Sequence, residues 1–242
     1  MNVELAVAKT NKYASRESGD TVEVIERPHG GFSVVLADGQ GSGRSAKTTS
    51  HMVTTKAISL LKDGARDGVA ARMVHDYLYT YKGGQVSATL VIISVDLVTR
   101  TLVLTRNSHC PILVSAPDQP ELMVLQDFSN AIGIYPATRP VITELPLQEN
   151  TYLVTYTDGL MEAGMRDNRP IDLTSLFNGA LAAGKTNASS LAEYLLAQAL
   201  EADGQRPADD MSVVVIAMPL ALQQEPGLII PQVRRLAMDF PV

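Results

Sequence analysis

Alternating hydrophobic and polar positions near the start of the chain predict a β-hairpin. Residues 21–26 (TVEVIE) alternate, as half-buried strands do, and residues 32–37 (FSVVLA) form a short apolar run bounded by glycines. The turn at residues 28–31 joins them. Because the strands of a hairpin are antiparallel, the start of the first lies beside the end of the second. We therefore expect Asp20 and Asp38 to lie close together.

Two amphipathic helices are predicted to follow, because apolar residues then recur at helical spacing. Ser42 is expected to cap the first helix and Gly64 to end it, while Asp67 is expected to cap the second. The simplest interpretation of both apolar stripes is core packing. The residues expected to face inward are Ala46, Val53, Ala57, Leu60 and Leu61 in the first helix, and Val69, Ala70, Met73, Val74, Tyr77 and Leu78 in the second.

The remaining pattern indicates a strand-rich region followed by helices and one last strand. Short apolar runs joined by short turns fill residues 86–156, which favours antiparallel strands. A short helix is expected at residues 173–177, a longer one capped by Asn187, and a buried strand at residues 211–217. This order predicts an α+β fold in which helices cover antiparallel sheets. We expect one domain over residues 1–218 and an appended C-terminal segment, residues 219–242.

Composition narrows the class of protein. The chain has 242 residues, is 45% hydrophobic and carries a net charge of −6. The acidic balance argues against nucleic acid as a partner. The single cysteine, Cys110, excludes an intrachain disulfide framework and a multi-cysteine zinc site, and it fits a reducing compartment. No secretory signal and no apolar run of about 18 residues is present, so we expect a cytoplasmic protein with no membrane partner.

Four aspartates at strand ends or turns are candidates for chemistry: Asp20, Asp38, Asp158 and Asp209. Asp38 and Asp158 each follow an apolar run and precede a glycine. The Asp-Gly turns are also compatible with a plain structural role. Clustered carboxylates, however, repel one another unless protons or cations neutralise them. Oxygen ligands of this kind suit Mg²⁺ or Mn²⁺, and a pair of such ions can activate water and bind phosphoryl oxygens.

The segment from Asp38 to Gly43 (DGQGSG) is neither of two common ion-binding loops. It lacks the GK[ST] ending of a phosphate-binding P-loop, and it lacks the alternating ligands and closing Glu of an EF-hand.

The ordered set of motifs resembles the PPM family of metal-dependent protein serine/threonine phosphatases, in its SpoIIE-like branch. The resemblance covers roughly residues 1–218 and implies an α-β-β-α sandwich with a two-metal site where the sheets meet. The motifs are Ser18-Gly19-Asp20, Asp38-Gly39-Gln40-Gly41-Ser42-Gly43, Ser87-Ala88-Thr89, Asn107-Ser108-His109-Cys110-Pro111, Thr157-Asp158-Gly159 and Asp209-Asp210-Met211-Ser212-Val213.

The resemblance also implies a set of ligands for two Mn²⁺ or Mg²⁺ ions. Asp38 would bridge both ions, which activate the attacking water. The Gly39 carbonyl and Asp20 would complete the ligands of one ion, and Asp158 and Asp209 would hold the other. Asp209 is favoured over Asp210 because the first acid of this motif is the usual ligand.

Three further residues are assigned supporting roles. Arg16, four residues before Asp20, is a candidate for binding the substrate phosphate, since a guanidinium can grip it with two hydrogen bonds. His109 is expected to support a turn, and Cys110 to fill the core.

Many SpoIIE-like members have His where Ser42 stands, and a Ser resembles the stand-alone RsbX-type phosphatases. The implied substrate is a phosphoserine or phosphothreonine on a STAS-type regulatory protein of a stress or sigma-factor pathway. Two alternatives remain open from the residues: a non-catalytic binding module on the same fold, and another two-metal phosphoester hydrolase. The second usually recruits several His ligands, and the four His of this chain show no metal-like spacing.

Overall fold

The structure, a computed structural model, describes residues 1–220. Two five-stranded antiparallel sheets form its centre. The strands are β1 Glu4–Thr10, β2 Asp20–Glu26, β3 Gly31–Gly39, β4 Ala88–Asp96, β5 Thr101–Asn107, β6 Ile112–Ser115, β7 Met123–Leu125, β8 Val141–Pro146, β9 Thr151–Tyr156 and β10 Met211–Met218. The α-helices are α1 Gly43–Lys62, α2 Asp67–Lys82, α3 Asp158–Met161, α4 Leu173–Ala182 and α5 Ala188–Ala202, with a 3₁₀ turn at Met165–Asp167.

The strand order defines two sheets. The first sheet has the order β2-β3-β4-β5-β8, and the second has the order β1-β10-β9-β6-β7. Helices α1 and α2 cover the outer face of the first sheet, and α4 and α5 cover the outer face of the second. A third apolar cluster fills the space between the sheets. The predicted four-layer α-β-β-α sandwich is confirmed.

Side-chain alternation along the central strands supplies all three cores. On β3, Val34 and Leu36 face the other sheet, while Val35 and Ala37 face helices α1 and α2. Strand β10 behaves likewise, since every one of its residues is buried between two layers. Because successive strand side chains point to opposite faces, an unbroken apolar run is what a strand covered on both sides requires.

The second helix differs from the predicted stripe. Ala70, Val74 and Leu78 are buried as expected, but Val69, Met73 and Tyr77 lie on the exposed side. Ala71 and His75 are buried in their place. The buried face of α2 is therefore rotated towards the alanines and away from the bulkier side chains.

Two of the predicted helix caps also need correction. Arg66, and not Asp67, is the N-cap of α2, and Asp67 is buried in the first helical turn. Ser42 occupies the N-cap of α1, but its side chain makes no capping hydrogen bond. Asn187 caps α5 as predicted, accepting hydrogen bonds from two backbone N–H groups. Helix α4 extends to Ala182, beyond the predicted residue 177.

The predicted C-terminal segment lies, from residue 221 onwards, outside the described residues. Within residues 1–220, the helices are too short or too polar for any of them to cross a membrane.

Candidate metal centre

The fold brings the four predicted aspartates to one end of the sandwich. Asp20 and Asp38 are direct partners in the β2–β3 register. In the second sheet, Asp158 follows the end of β9 and Asp209 precedes the start of β10, and these two strands are antiparallel neighbours. The members of each pair are neighbours because one begins or precedes a strand and the other ends or follows the antiparallel partner. A hydrogen bond from Thr157, which precedes Asp158, to Asp20 brings the two pairs to the same end of the sandwich.

Asp20 is buried and only partly hydrogen bonded. Its Oδ2 accepts hydrogen bonds from Thr157 Oγ1 at 2.9 Å and from Ser212 Oγ at 2.6 Å. Its Oδ1 is buried and has no hydrogen-bond partner among the described residues. Burial raises the pKa of Asp20 to about 6, although the bonds from Ser212 and Thr157 favour the charged form. Asp20 Oδ1 can therefore bind a cation or a proton.

Asp38 lies in the negative field of the other three aspartates. Burial and then the charges of Asp20, Asp158 and Asp209 raise its pKa to about 9. A carboxyl group in this position must hold a proton near neutral pH or be neutralised by a cation.

Asp158 is the first residue of α3, and burial raises its pKa too. His109 Nε2 lies 3.9 Å from Asp158 Oδ2 and favours its charged form. The His109 side chain is 55% accessible, and its imidazole lies beside the acidic cluster. Its expected support of the turn stays a prediction.

The adjacent residues Asp209 and Asp210 have different roles. Asp210 accepts backbone hydrogen bonds on both oxygens, from Lys12 N at 2.8 Å and Gly19 N at 2.7 Å. These bonds fix the β1–β2 loop against the start of β10. Asp209 is 46% exposed and lies 3.7 Å from Lys12 Nζ. Asp209 Oδ1 also accepts a hydrogen bond from Asp210 N at 3.0 Å. Only one oxygen of Asp209 is thus bound by the backbone within residues 1–220, whereas both oxygens of Asp210 are, and the choice of Asp209 as the ligand stays a prediction.

Comparison with known proteins decides the family. The family described as stage II sporulation protein E (SpoIIE) matches residues 28–219, more than half of the chain. The chain belongs to the SpoIIE family. The predicted PPM-type, SpoIIE-like affiliation is therefore confirmed.

The relatives of this SpoIIE-family chain are distant. Stage II sporulation protein E of Priestia megaterium is 21% identical over 160 residues, which are 66% of this chain and 27% of that protein. The chain thus spans about a quarter of the length of the curated relative it matches.

Several solved structures share the fold. The PP2C phosphatase domain of SpoIIE from Bacillus subtilis, solved with a fragment of its regulatory domain, has a TM-score of 0.76 and 21% identity, over 90% of this chain and 63% of that one. RsbX in complex with magnesium has a TM-score of 0.67 and 15% identity, over 89% and 95%. The catalytic domain of the serine/threonine phosphatase PstP with two manganese ions has a TM-score of 0.68 and 15% identity, over 90% and 98%.

Two glycines of the SpoIIE-family chain allow its backbone segments to meet at the acidic end. A Cβ on Gly39 would lie 2.2 Å from the Ala46 carbonyl oxygen of α1, and one on Gly159 would lie 2.2 Å from the Asp210 carbonyl oxygen. Neither position tolerates a side chain without movement of the backbone. The role of the Gly39 carbonyl as a metal ligand stays a prediction.

Residues that the sequence analysis did not select also shape the site. Lys9 Nζ and Lys47 Nζ both donate to the carbonyl oxygen of Asp20, at 3.2 and 3.1 Å. Burial and the nearby Lys47 lower the pKa of Lys9. Thr157 and Ser212 lie within the quoted motifs, but only the structure shows that their hydroxyl groups hold Asp20. The lysines carry no spacing signal, because they come from β1 and α1.

The donor set fits hard divalent cations, although it is not organised as a finished coordination sphere. Among residues 1–220, no three His, Cys, Asp or Glu side chains are arranged as a group that could hold a metal ion. The structure does provide a buried carboxylate oxygen without a partner and carboxylates whose pKa values are raised by burial and mutual repulsion. An acidic, oxygen-only site of this kind is what Mg²⁺ and Mn²⁺ prefer.

Arg16 and Cys110 complete the set of predicted residues. Arg16 is exposed in the β1–β2 loop, and its side chain makes no hydrogen bond or ion pair within the described part of the chain. Its phosphate-binding role stays a prediction. Cys110 is buried in the second-sheet core, and burial raises the pKa of its thiol to about 12. It fills the core as expected and has no thiolate character near neutral pH.

Proposed function

We propose that the chain is a metal-dependent protein serine/threonine phosphatase. The single observation that carries this proposal is the cluster of the carboxylates Asp20, Asp38, Asp158 and Asp209, which are gathered from both sheets at one end of a SpoIIE-family fold and whose mutual repulsion raises the pKa of Asp38. Solved neighbours with this fold include phosphatases in complex with magnesium and with manganese ions, which supports the same ion class here. The catalytic unit is proposed to comprise residues 1–218.

Each side chain has a definite task in this proposal. Asp38, in the middle of the cluster, would contact both ions, with Asp20 and the Gly39 carbonyl on one side and Asp158 and Asp209 on the other. When bound, two such ions supply an activated water and positive charge beside the phosphoryl oxygens. The hydroxyl groups of Thr157 and Ser212 orient Asp20 so that its second oxygen stays free.

The substrate is proposed to be a phosphoserine or phosphothreonine on a STAS-type regulatory protein in the cytoplasm. Support comes from RsbX and from a solved neighbour studied as part of the bacterial stressosome, both of which share the fold. Arg16 is proposed to approach the phosphate, since it is exposed near Asp20 and its guanidinium has no partner in residues 1–220.

The test is hydrolysis of an aryl phosphate and of a phosphorylated STAS protein, with Mn²⁺, with Mg²⁺ and with a chelator. We expect ion-dependent hydrolysis that Asp38→Asn abolishes. Asp118→Asn is the matched control, because Asp118 is exposed in the β6–β7 turn and outside the acidic cluster. Equal activity in chelator, or full activity of Asp38→Asn, would overturn the proposal.

A further inference from the structure

A cleft runs beside the acidic cluster on the α1 side. Its volume is about 480 Å³, and it is lined by Glu17, Arg44, Lys47, Thr48, His51 and Met52. Four of these residues follow the spacing i, i+3, i+4 and i+7 along α1, so they share one face of the helix. Glu17, in the β1–β2 loop, contributes the opposite wall.

Lys47 links the cleft to the candidate metal centre. It is one of the lining residues, and its Nζ donates to the carbonyl oxygen of Asp20 at 3.1 Å and to Thr21 Oγ1 at 3.1 Å. Glu17 stands three residues before Asp20. One end of the cleft therefore lies a single hydrogen bond from a proposed metal ligand.

The charge of the cleft is opposite to that of the whole chain. The chain carries −6, yet the lining contains Arg44 and Lys47, an imidazole at His51 and only one acid. Within residues 1–220, the side chains of Arg44 and His51 make no hydrogen bond or ion pair, and both residues are exposed. No acidic residue stands in the first turn of α1, so the positive end of the helix dipole reinforces the basic side chains.

We propose that this cleft binds acidic side chains of the phosphoprotein substrate, next to the phosphorylated residue. The inference rests on the proposed phosphatase function and adds a substrate class to it. Seven residues along an α-helix span about 10 Å, the length of about three extended residues. The preferred Asp or Glu residues therefore lie within about three positions of the phosphoserine or phosphothreonine. Electrostatic complementarity of this kind selects among partners more than it adds affinity.

The test compares two phosphopeptides that differ only in Asp or Asn beside the phosphorylated residue. For the wild type, kcat/KM should favour the acidic peptide by roughly 3-fold or more, the size expected for one exposed charge pair. In the double variant Arg44→Ala/His51→Ala this ratio should fall to about one. The single variant Arg44→Lys keeps the positive charge and should retain most of the wild-type preference. Using a ratio cancels any general loss of activity. The preference should also weaken as salt is added.

Lys62→Ala is the matched control, because Lys62 is in the last turn of the same helix, about 27 Å from Arg44 at 1.5 Å per residue. It should leave both the preference and the aryl phosphate activity unchanged. Equal kcat/KM for both peptides in the wild type, or a preference that survives Arg44→Ala/His51→Ala, would overturn the proposal.

A binding measurement separates this inference from the phosphatase assignment. Fluorescence anisotropy of the labelled acidic and neutral phosphopeptides reports on the cleft without turnover. Suppose that no peptide is hydrolysed with Mn²⁺ or Mg²⁺, but that the acidic peptide still binds more tightly and Arg44→Ala removes this difference in affinity. The proposed role of the cleft is then supported, and the proposed phosphatase function is overturned. Equal binding of both peptides overturns the cleft assignment whatever the activity.

Discussion

The two ends of the β2–β3 hairpin treat a buried carboxylate in opposite ways. At the far end, Arg27 Nη1 donates to Asp67 Oδ1 at 2.6 Å and to Ser94 Oγ at 2.9 Å, and the Asp67 side chain is 3% exposed. At the near end, Asp20 and Asp38 are direct partners across the strands, and within residues 1–220 neither carboxylate forms an ion pair with Lys or Arg. One end is an internal salt bridge, and the other is a cluster of like charges.

The comparison separates a structural carboxylate from a functional one. A buried carboxylate that serves the fold receives its counter-charge from the chain itself, as Asp67 does from Arg27. A cluster of carboxylates whose charge the chain compensates only in part is unfavourable unless protons or cations neutralise it. The acidic end is therefore where an external cation would contribute most to both stability and chemistry.

Asp38→Asn should have the largest effect. We expect phosphatase activity to fall at least about 10³-fold, or about 4 kcal/mol of transition-state stabilisation, because Asp38 is proposed to contact both ions. The metal-free protein should instead become more stable. Folding raises the pKa of Asp38 from 3.8 to about 9, so the folded state holds the extra proton and stability falls as pH rises through this range.

The measurement is the melting temperature of the metal-free variant and wild type at about pH 8, inside the window set by these pKa values. A melting temperature of Asp38→Asn below that of the wild type would show that the neighbouring carboxylates do not destabilise ionised Asp38.

Arg27→Met probes the opposite end. The change leaves Asp67 buried without its partner, which should cost about 3 kcal/mol of unfolding free energy, near the lower end for a broken buried pair because Arg27 is 13% exposed. Activity measured well below the melting temperature should be retained. Denaturant unfolding checks the value, and adding Asp67→Leu should recover much of the loss. A stability unchanged by Arg27→Met would contradict the structural role of this pair.

Asp209 and Asp210 show a similar contrast between a carboxylate proposed to bind an ion and one that stabilises the fold. Asp210→Asn can keep only one of the two hydrogen bonds from Lys12 and Gly19, so we expect a loss of about 2 kcal/mol of stability. Asp209→Asn should leave stability unchanged and reduce activity. Paired chemical denaturation and activity measurements distinguish them. The reverse outcome would assign the metal-binding role to Asp210.

His75 should give the smallest effect. Its buried Nδ1 accepts a hydrogen bond from Gly133 N at 3.1 Å, and burial lowers its pKa below 6.5, against the opposing charge of Asp76. The unfolded state therefore binds the proton first, and stability falls as pH drops below 6.5, by at most about 1.4 kcal/mol per pH unit.

Melting temperatures at about pH 7.5 and about pH 5.5, on either side of the unfolded pKa, check this slope. His75→Gln keeps an acceptor for Gly133 and cannot titrate, so it should melt with a smaller dependence on pH. An equal pH dependence of the melting temperature in both proteins would show that His75 does not cause it.

The sequence predicted the hairpin and its juxtaposed aspartates because strand alternation is local and the antiparallel register then follows. It also predicted the α+β order of the elements and the role of Asn187 as a cap. The predicted orientation of α2 was wrong because its apolar residues span two possible faces, and tertiary packing buries the one that contains Ala71 and His75.

Other parts of the site depend on contacts that no local pattern records. Lys9 and Lys47 meet at one carbonyl oxygen although they are far apart in the chain. Asp67 looks like a helix cap in sequence, because its partner Arg27 lies 40 residues earlier.

The most direct test of the account is calorimetric titration of the metal-free protein with Mn²⁺, using the wild type, Asp38→Asn and the control Asp118→Asn. The account predicts two bound Mn²⁺ ions in the wild type and in Asp118→Asn, and loss of at least one in Asp38→Asn. Absence of Mn²⁺ binding to the wild type, or equal binding by all three proteins, would contradict the claim that the clustered carboxylates form a metal centre.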